Sequence, residues 1–248
     1  MIFREDFESV ITNIKVLVIL AAAGGFSYLY LNGMSKLPHI TKAEPGQIKV
    51  ACIGASGTYG NGIFPWPAKS YPAVLNDLLG DEYHVNNFGV SGSCVQTTSD
   101  QPYVNTDTYQ EAVAYEADIL VISMGSNDTK PENWKGEEAF QASFQEYVER
   151  FLVEGREQKV FICTTAKCWF PEGVTEGKTN YDLQPAVCDL MSEIMVQVAQ
   201  ENGWHLVDLH TATAANRQWY LEDLVHFNNE GAAGYAQMVS KAISKAVQ

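Results

Sequence analysis

From about residue 46 onward the chain alternates short, nearly uninterrupted apolar runs with longer segments whose apolar positions recur every three or four residues. The short runs are 48–53 (IKVACI), 83–88 (YHVNNF), 119–124 (ILVISM), 160–163 (VFIC) and 205–209 (HLVDL), and each predicts a strand. ILVISM is apolar almost throughout, as a strand covered on both faces should be. Between the runs, four segments predict helices: 70–79 (closed by Gly80), 137–153, 185–201 and 230–247. In the second of these, Phe140, Phe144, Tyr147, Val148 and Phe151 fall at helical spacing. This alternation predicts an α/β fold: a mostly parallel five-stranded sheet with helices on both faces. Ligands of such sheets sit at the carboxyl ends of the strands, so candidate chemistry is sought there.

The amino-terminal segment has a different pattern. No charged side chain occurs from Val16 to Ser35, and as a helix this stretch would be roughly 30 Å long, one bilayer core. Tyr28 and Tyr30 at its end suit a membrane interface. A cleaved signal peptide is the rival, with Ala21-Ala22-Ala23 as a small-residue cleavage site, but Glu5, Asp6 and Glu8 make its leading part poorly basic. A buried core helix is weaker still, because a separate domain follows. The expected organisation is an N-terminal hydrophobic helix in 1–35 acting as a membrane anchor (or signal segment), a linker over 36–47 with Pro38, Pro45 and Gly46, and one domain over 48–248. The protein is then membrane-anchored or secreted, with its domain outside the cytoplasm.

Charge narrows the partners. The 248 residues carry 16 Lys and Arg against 30 Asp and Glu, a net charge of -14, and all of the imbalance lies beyond residue 45. An acidic surface repels phosphate backbones, which argues against nucleic acid, and it leaves the amino-terminal segment as the membrane contact. The five cysteines, Cys52, Cys94, Cys163, Cys168 and Cys188, are odd in number and irregular in spacing. This predicts neither a disulfide framework nor a zinc site, and Cys52 and Cys163 read as small buried thiols inside apolar runs.

At the end of the first strand lies Gly54-Ala55-Ser56-Gly57-Thr58-Tyr59-Gly60. Three readings fit: a plain glycine-rich turn, a phosphate cradle, or a serine presented as a nucleophile. The cradle needs a helix starting in the loop, yet Pro65 and Pro67 follow closely. It also needs an acidic residue after the second strand, where Asn86-Asn87-Phe88-Gly89 stands instead. The nucleophile needs a base, an acid to orient it and an oxyanion hole. His226 is the best of five histidines as base, because Asp223 three residues earlier can reach its Nδ1 across a turn; His210 is a second candidate. An Asn amide at Asn127, in Gly125-Ser126-Asn127-Asp128, can donate to a developing oxyanion, as can a backbone N–H near Gly89. Taken singly, Asn127-Asp128 reads as a turn or cap and Asp223-x-x-His226 as a surface turn.

In chain order these stretches resemble the SGNH (GDSL-type) hydrolases. The matching blocks are 54–60, Asn87-Phe88-Gly89-Val90-Ser91-Gly92, 125–128 and Asp223-Leu224-Val225-His226-Phe227-Asn228. The resemblance implies a flavodoxin-like three-layer α/β/α fold and a hydrolase domain over 48–248. It also implies Ser56 as nucleophile, His226 as base, Asp223 as its partner, and the Ser56 N–H, Gly89 N–H and Asn127 side chain as oxyanion donors. The sequence departs from the family where Ala55 replaces the usual Asp, Gly57 an aliphatic residue and Phe227 a frequent Pro. Residues 129–134 (TKPENW) resemble the branch that removes O-acetyl groups from sugars, with Tyr59 and Trp134 as candidate faces for a sugar ring. The implied activity is a serine esterase acting on acetylated carbohydrate, with no metal or organic cofactor. The alternatives are a thioesterase or lysophospholipase on the same residues, or a glycan- or dinucleotide-binding module without chemistry.

Overall fold

Five parallel strands run side by side in the order 2-1-3-4-5. The computed structural model describes residues 40–65, 68–177 and 179–247, so the predicted helix of 1–35 lies outside the described residues. The strands are β1 (Ile48–Gly54), β2 (Tyr83–Gly89), β3 (Ile119–Ser123), β4 (Lys159–Cys163) and β5 (His205–Val207). β1 pairs with β2 on one side and with β3 on the other, and every pairing is parallel. The helices in chain order are α1 (Ser56–Tyr59), α2 (Tyr71–Leu79), α3 (Asp107–Tyr115), α4 (Glu137–Glu149), α5 (Pro185–Glu201), α6 (Leu209–Ala215) and α7 (Asn229–Ala246).

Strand side chains alternate between two cores, as the two-residue repeat of a strand requires. Ala51 and Ile53 of β1 join Leu120, Ile122 and Ile162 on one face, under Phe140, Phe144 and Tyr147 of α4 and Met191 and Met195 of α5. Val50 and Cys52 join Val121, Phe161 and Cys163 on the other, under Tyr71 and Leu75 of α2 and Tyr235, Val239 and Ile243 of α7. The three layers and the parallel sheet are those expected. His84 and His205 fall on the two edge strands.

Several boundaries shift for local reasons. The 205–209 run stops being a strand at Val207, because the Asp208 carboxylate accepts the Thr211 N–H at 3.0 Å and starts α6. α4 ends at Glu149, where three-residue turns take over (Phe151 N–H to Val148 O, 3.1 Å), although Phe151 stays buried. α7 begins at Asn229, one residue earlier than predicted, behind an Asn228 side chain that accepts the Gly231 N–H. The predicted linker is partly docked: the Thr41 N–H donates to Asn86 Oδ1 at 3.1 Å, and Asn86 Nδ2 donates to Thr41 O at 2.8 Å, fixing this stretch to β2.

Cysteine usage also departs from expectation. Cys168 and Cys188 form a disulfide across 20 residues of chain, joining the segment after β4 to α5. Odd count and irregular spacing argue only against a framework of several bridges. A single pair can still be brought together by one loop returning to its helix. Cys52, Cys94 and Cys163 are buried free thiols.

Candidate active site

The order 2-1-3-4-5 reverses direction between β1 and β3, and a parallel sheet opens a crevice at that point, outside its carboxyl end. β1 and β3 deliver Ser56 and Asn127 there. Ser56 opens α1, a single turn ended by Gly60 at φ 98°, and this is all the helix the glycine-rich loop makes. Ser56 is half-buried, and among the described residues its N–H and hydroxyl take no hydrogen-bond partner within the chain.

Block two is more compact than the sequence shows. The Gly89 N–H is already spent on Asn87 Oδ1 at 2.9 Å. A side chain at Gly89 would lie 2.2 Å from the Tyr59 backbone nitrogen, so this glycine serves the close packing of α1 on β2. The glycine of this block that lines the cleft is Gly92, three residues on. Val90 to Ser93 form a turn closed by the Ser93 N–H on Val90 O, with Gly92 at φ 85°, the conformation that favours glycine in this turn. The sequence reading named Gly89, which lies in the same Gly89-Val90-Ser91-Gly92 stretch; of the two glycines, Gly92 lines the cleft.

Asn127 donates one amide hydrogen to Ser93 O at 3.1 Å, which fixes its plane and leaves the second for a ligand. Its neighbour Asp128 is fully buried and accepts the N–H groups of Val95 and Gln96, both at 2.9 Å. Asp128 therefore clamps the β3 loop to the segment that carries Gly92. Burial pushes its carboxyl up to about 6, against the opposing pull of those two N–H groups. Asn133, also buried, donates to Asn127 O at 3.0 Å. Sequence reasoning did not assign this supporting pair; the only signal was an acidic residue directly after the candidate amide.

Asp223 and His226 meet as the three-residue offset predicts. Asp223 Oδ2 lies 2.7 Å from His226 Nδ1, while Oδ1 accepts the N–H groups of Val225 (3.0 Å) and His226 (2.9 Å). Leu224 between them takes φ 58° to close the turn. Burial raises the Asp223 carboxyl, but the His226 hydrogen bond and the two N–H groups outweigh it and hold the carboxyl below its usual range. The second histidine candidate, His210, lies elsewhere: its Nε2 is 3.3 Å from Asp189, which also pairs with Lys167.

Two cavities share Ser56, Ser126, Leu183 and Val225 as a common wall. The larger, about 170 Å³, mixes polar and apolar surface and is lined by Asn61, Ser91, Gly92, Asn127, Lys130, Tyr181 and His226 as well. The smaller, about 60 Å³, runs behind Ser56 past Ala55, Gly57, Met124 and Thr164. At about 10–15 Å³ per water-sized occupant, it holds only a few non-hydrogen atoms. Ser56, Asn127 and His226 thus line one cleft. Ser56 and His226 are not hydrogen-bonded to each other there; such contacts commonly tighten only with substrate in place. Tyr59 and Trp134 do not line it. Tyr59 belongs to α1, whose backbone packs on β2, and the Trp134 ring lies 6.0 Å from that of Phe140, against the core. Among the described residues no group of three or more His, Cys, Asp or Glu side chains is placed to hold a metal ion.

The parallel sheet thus gathers a serine, a carboxylate-bound imidazole and an amide around one cleft. The chain belongs to the GDSL-like lipase/acylhydrolase family, whose model matches residues 52–233, and its fold and family are those of carboxylic ester hydrolases. It is 30% identical over 224 residues to an acetylxylan esterase of Xylanibacter ruminicola, covering 84% of this chain; the chain spans 45% of the length of that relative. Solved structures of similar fold include Est24, a carbohydrate acetylesterase of Sinorhizobium meliloti (TM-score 0.64, 15% identity, 81% of this chain and 100% of that one). An aryl esterase of M. smegmatis is comparable (TM-score 0.63, 16% identity, 80% and 99%).

Proposed function

We propose that the chain is a serine esterase that removes small acyl groups, O-acetyl above all, from carbohydrate. The observation that carries this reading is the 2.7 Å Asp223–His226 contact on the wall of the cleft that also holds Ser56, Asn127 and Gly92. Ser56 Oγ attacks the acyl carbonyl carbon and passes its proton to His226 Nε2. Asp223 holds the imidazole with its other proton on Nδ1 and stabilises the imidazolium. The tetrahedral oxyanion accepts hydrogen bonds from the free amide hydrogen of Asn127 and the N–H groups of Gly92 and Ser56. On collapse, His226 returns the proton to the departing alcohol. Water, deprotonated by His226, then attacks the acyl-enzyme and releases the carboxylate.

The two cavities support the choice of substrate. The pocket behind Ser56 suits an acetyl group and no long chain, and the Asn61, Ser91 and Lys130 side chains on the larger cleft suit a hydroxylated alcohol. Similarity to an acetylxylan esterase is in keeping with both. The Cys168–Cys188 disulfide supports placing the domain in an oxidising compartment, with the amino-terminal segment as its anchor or leader. Acetate release from acetylated xylo-oligosaccharides tests the reading, with octanoyl esters as comparison and Ser56→Ala as control. Wild-type turnover of the acetyl substrate that is abolished in Ser56→Ala supports it. Preference for the octanoyl ester, or full activity in Ser56→Ala, overturns it.

A further inference from the structure

Resting on that esterase reading, we infer that Tyr181 forms a sugar-ring subsite on the leaving-group side of the cleft and selects carbohydrate esters over simple ones. Apart from His226, Tyr181 is the only aromatic side chain lining the larger cavity among the described residues. It is 58% exposed, so its ring is open to a ligand in the cleft. Its ring stands edge-on to the His226 imidazole at 79°, with centroids 5.2 Å apart. The ring therefore sits beside the atom that hands the proton to the departing alcohol, where the sugar carrying the ester must lie.

The loop is built to hold this ring in place. Tyr181 and Asp182 both take φ 60°, a conformation disfavoured for residues with side chains and kept only where neighbours enforce it. Asn180 Nδ2 donates to Asp223 O at 2.7 Å, tying the loop to the turn that carries the carboxylate. The Thr179 N–H donates to Leu183 O, and Gln184 Nε2 donates to Thr129 O at 2.7 Å. The chemistry suits a pyranose. An aromatic face covers the apolar C–H face of a sugar ring, while Lys130 and Asn61 on the same cleft offer donors to its hydroxyls. Sequence reasoning placed this role on Tyr59 and Trp134; the fold moves it to a residue in no catalytic block.

Steady-state kinetics of Tyr181→Ala and Tyr181→Phe on two substrates, acetylated xylo-oligosaccharide and ethyl acetate, test the inference. The Ala variant should raise KM for the oligosaccharide about five- to tenfold with kcat little changed, and leave kcat/KM for ethyl acetate within about twofold. The Phe variant should behave as wild type on both. Retained ethyl acetate activity shows that the Ala variant is folded. A wild-type KM for the oligosaccharide in Tyr181→Ala overturns the subsite while leaving the esterase reading intact. An equal loss on both substrates overturns it as well, because Tyr181 would then act on the imidazole. A wild-type enzyme that hydrolyses ethyl acetate but no acetylated sugar refutes the carbohydrate reading itself, and the subsite with it.

Discussion

Exchanging Asp223 for Asn changes one atom and reverses what the imidazole can do. In the native turn Oδ1 accepts two backbone N–H groups and Oδ2 faces His226 Nδ1 at 2.7 Å. The asparagine oxygen can keep both backbone bonds, which turns its NH2 toward Nδ1. Nδ1 must then accept, and the ring proton moves to Nε2, the atom required to take the Ser56 proton. The same exchange in the triad of a serine protease lowers kcat by about 10⁴, and that fold-change corresponds to about 5.5 kcal/mol of transition-state stabilisation. The fold should lose little, because two of the three hydrogen bonds survive: about 1–1.5 kcal/mol near pH 7. The native Asp223 carboxyl is held below its ordinary value of 3.8, so the stability it contributes is present above that value and lost as pH falls through the lowered one. The stability deficit of the variant should therefore shrink under acid. The assay is kcat/KM on an acetyl ester, paired with urea unfolding at pH 7 and pH 3. A folded Asp223→Asn enzyme within tenfold of wild type refutes the role given to this carboxylate.

Asn127→Ala should keep its fold and lose about 10²–10³ in kcat on the same ester; a near-native rate would remove Asn127 from the oxyanion hole. Asp128 titrates at about 6 in the folded chain against an ordinary 3.8, so its contribution to stability is full below 3.8 and is lost as pH rises toward 6. Urea unfolding between pH 4 and pH 6.5 should show a wild-type decline of up to about 3 kcal/mol from this group that is absent in Asp128→Asn, and parallel curves would disprove it. Replacing both Cys168 and Cys188 with Ala opens a 20-residue loop and should cost about 3 kcal/mol, read as a lower urea midpoint. An unchanged midpoint would show that the bridge constrains nothing.

The sheet was legible because each strand is an apolar run between turn residues and the helices alternate with them, so five strands and their order of appearance could be read directly. The extent of β5 was not, because HLVDL hides a capping Asp208 inside an apolar pattern. Ser56, Asn127, Asp223 and His226 were legible because each lies in a short block at a strand or helix end, where local spacing carries the chemistry. Gly92, Asp128 and Tyr181 were not. Which glycine keeps a free N–H depends on the register of β2 against β1 and on the Asn87 side chain. That Asp128 binds the N–H groups of residues over thirty positions away is a tertiary fact. Tyr181 meets His226, 45 positions further along the chain, only through the fold. Trp134, expected at the sugar, packs partly against the core beside Phe140, a contact its local sequence does not reveal.

Ser56 follows the first strand of the sheet and His226 immediately precedes its last helix. The two line one cleft although β3, β4 and β5 all lie between them in the chain. On the proposed esterase reading, ester turnover therefore reports whether the whole sheet has assembled, and not the serine loop alone.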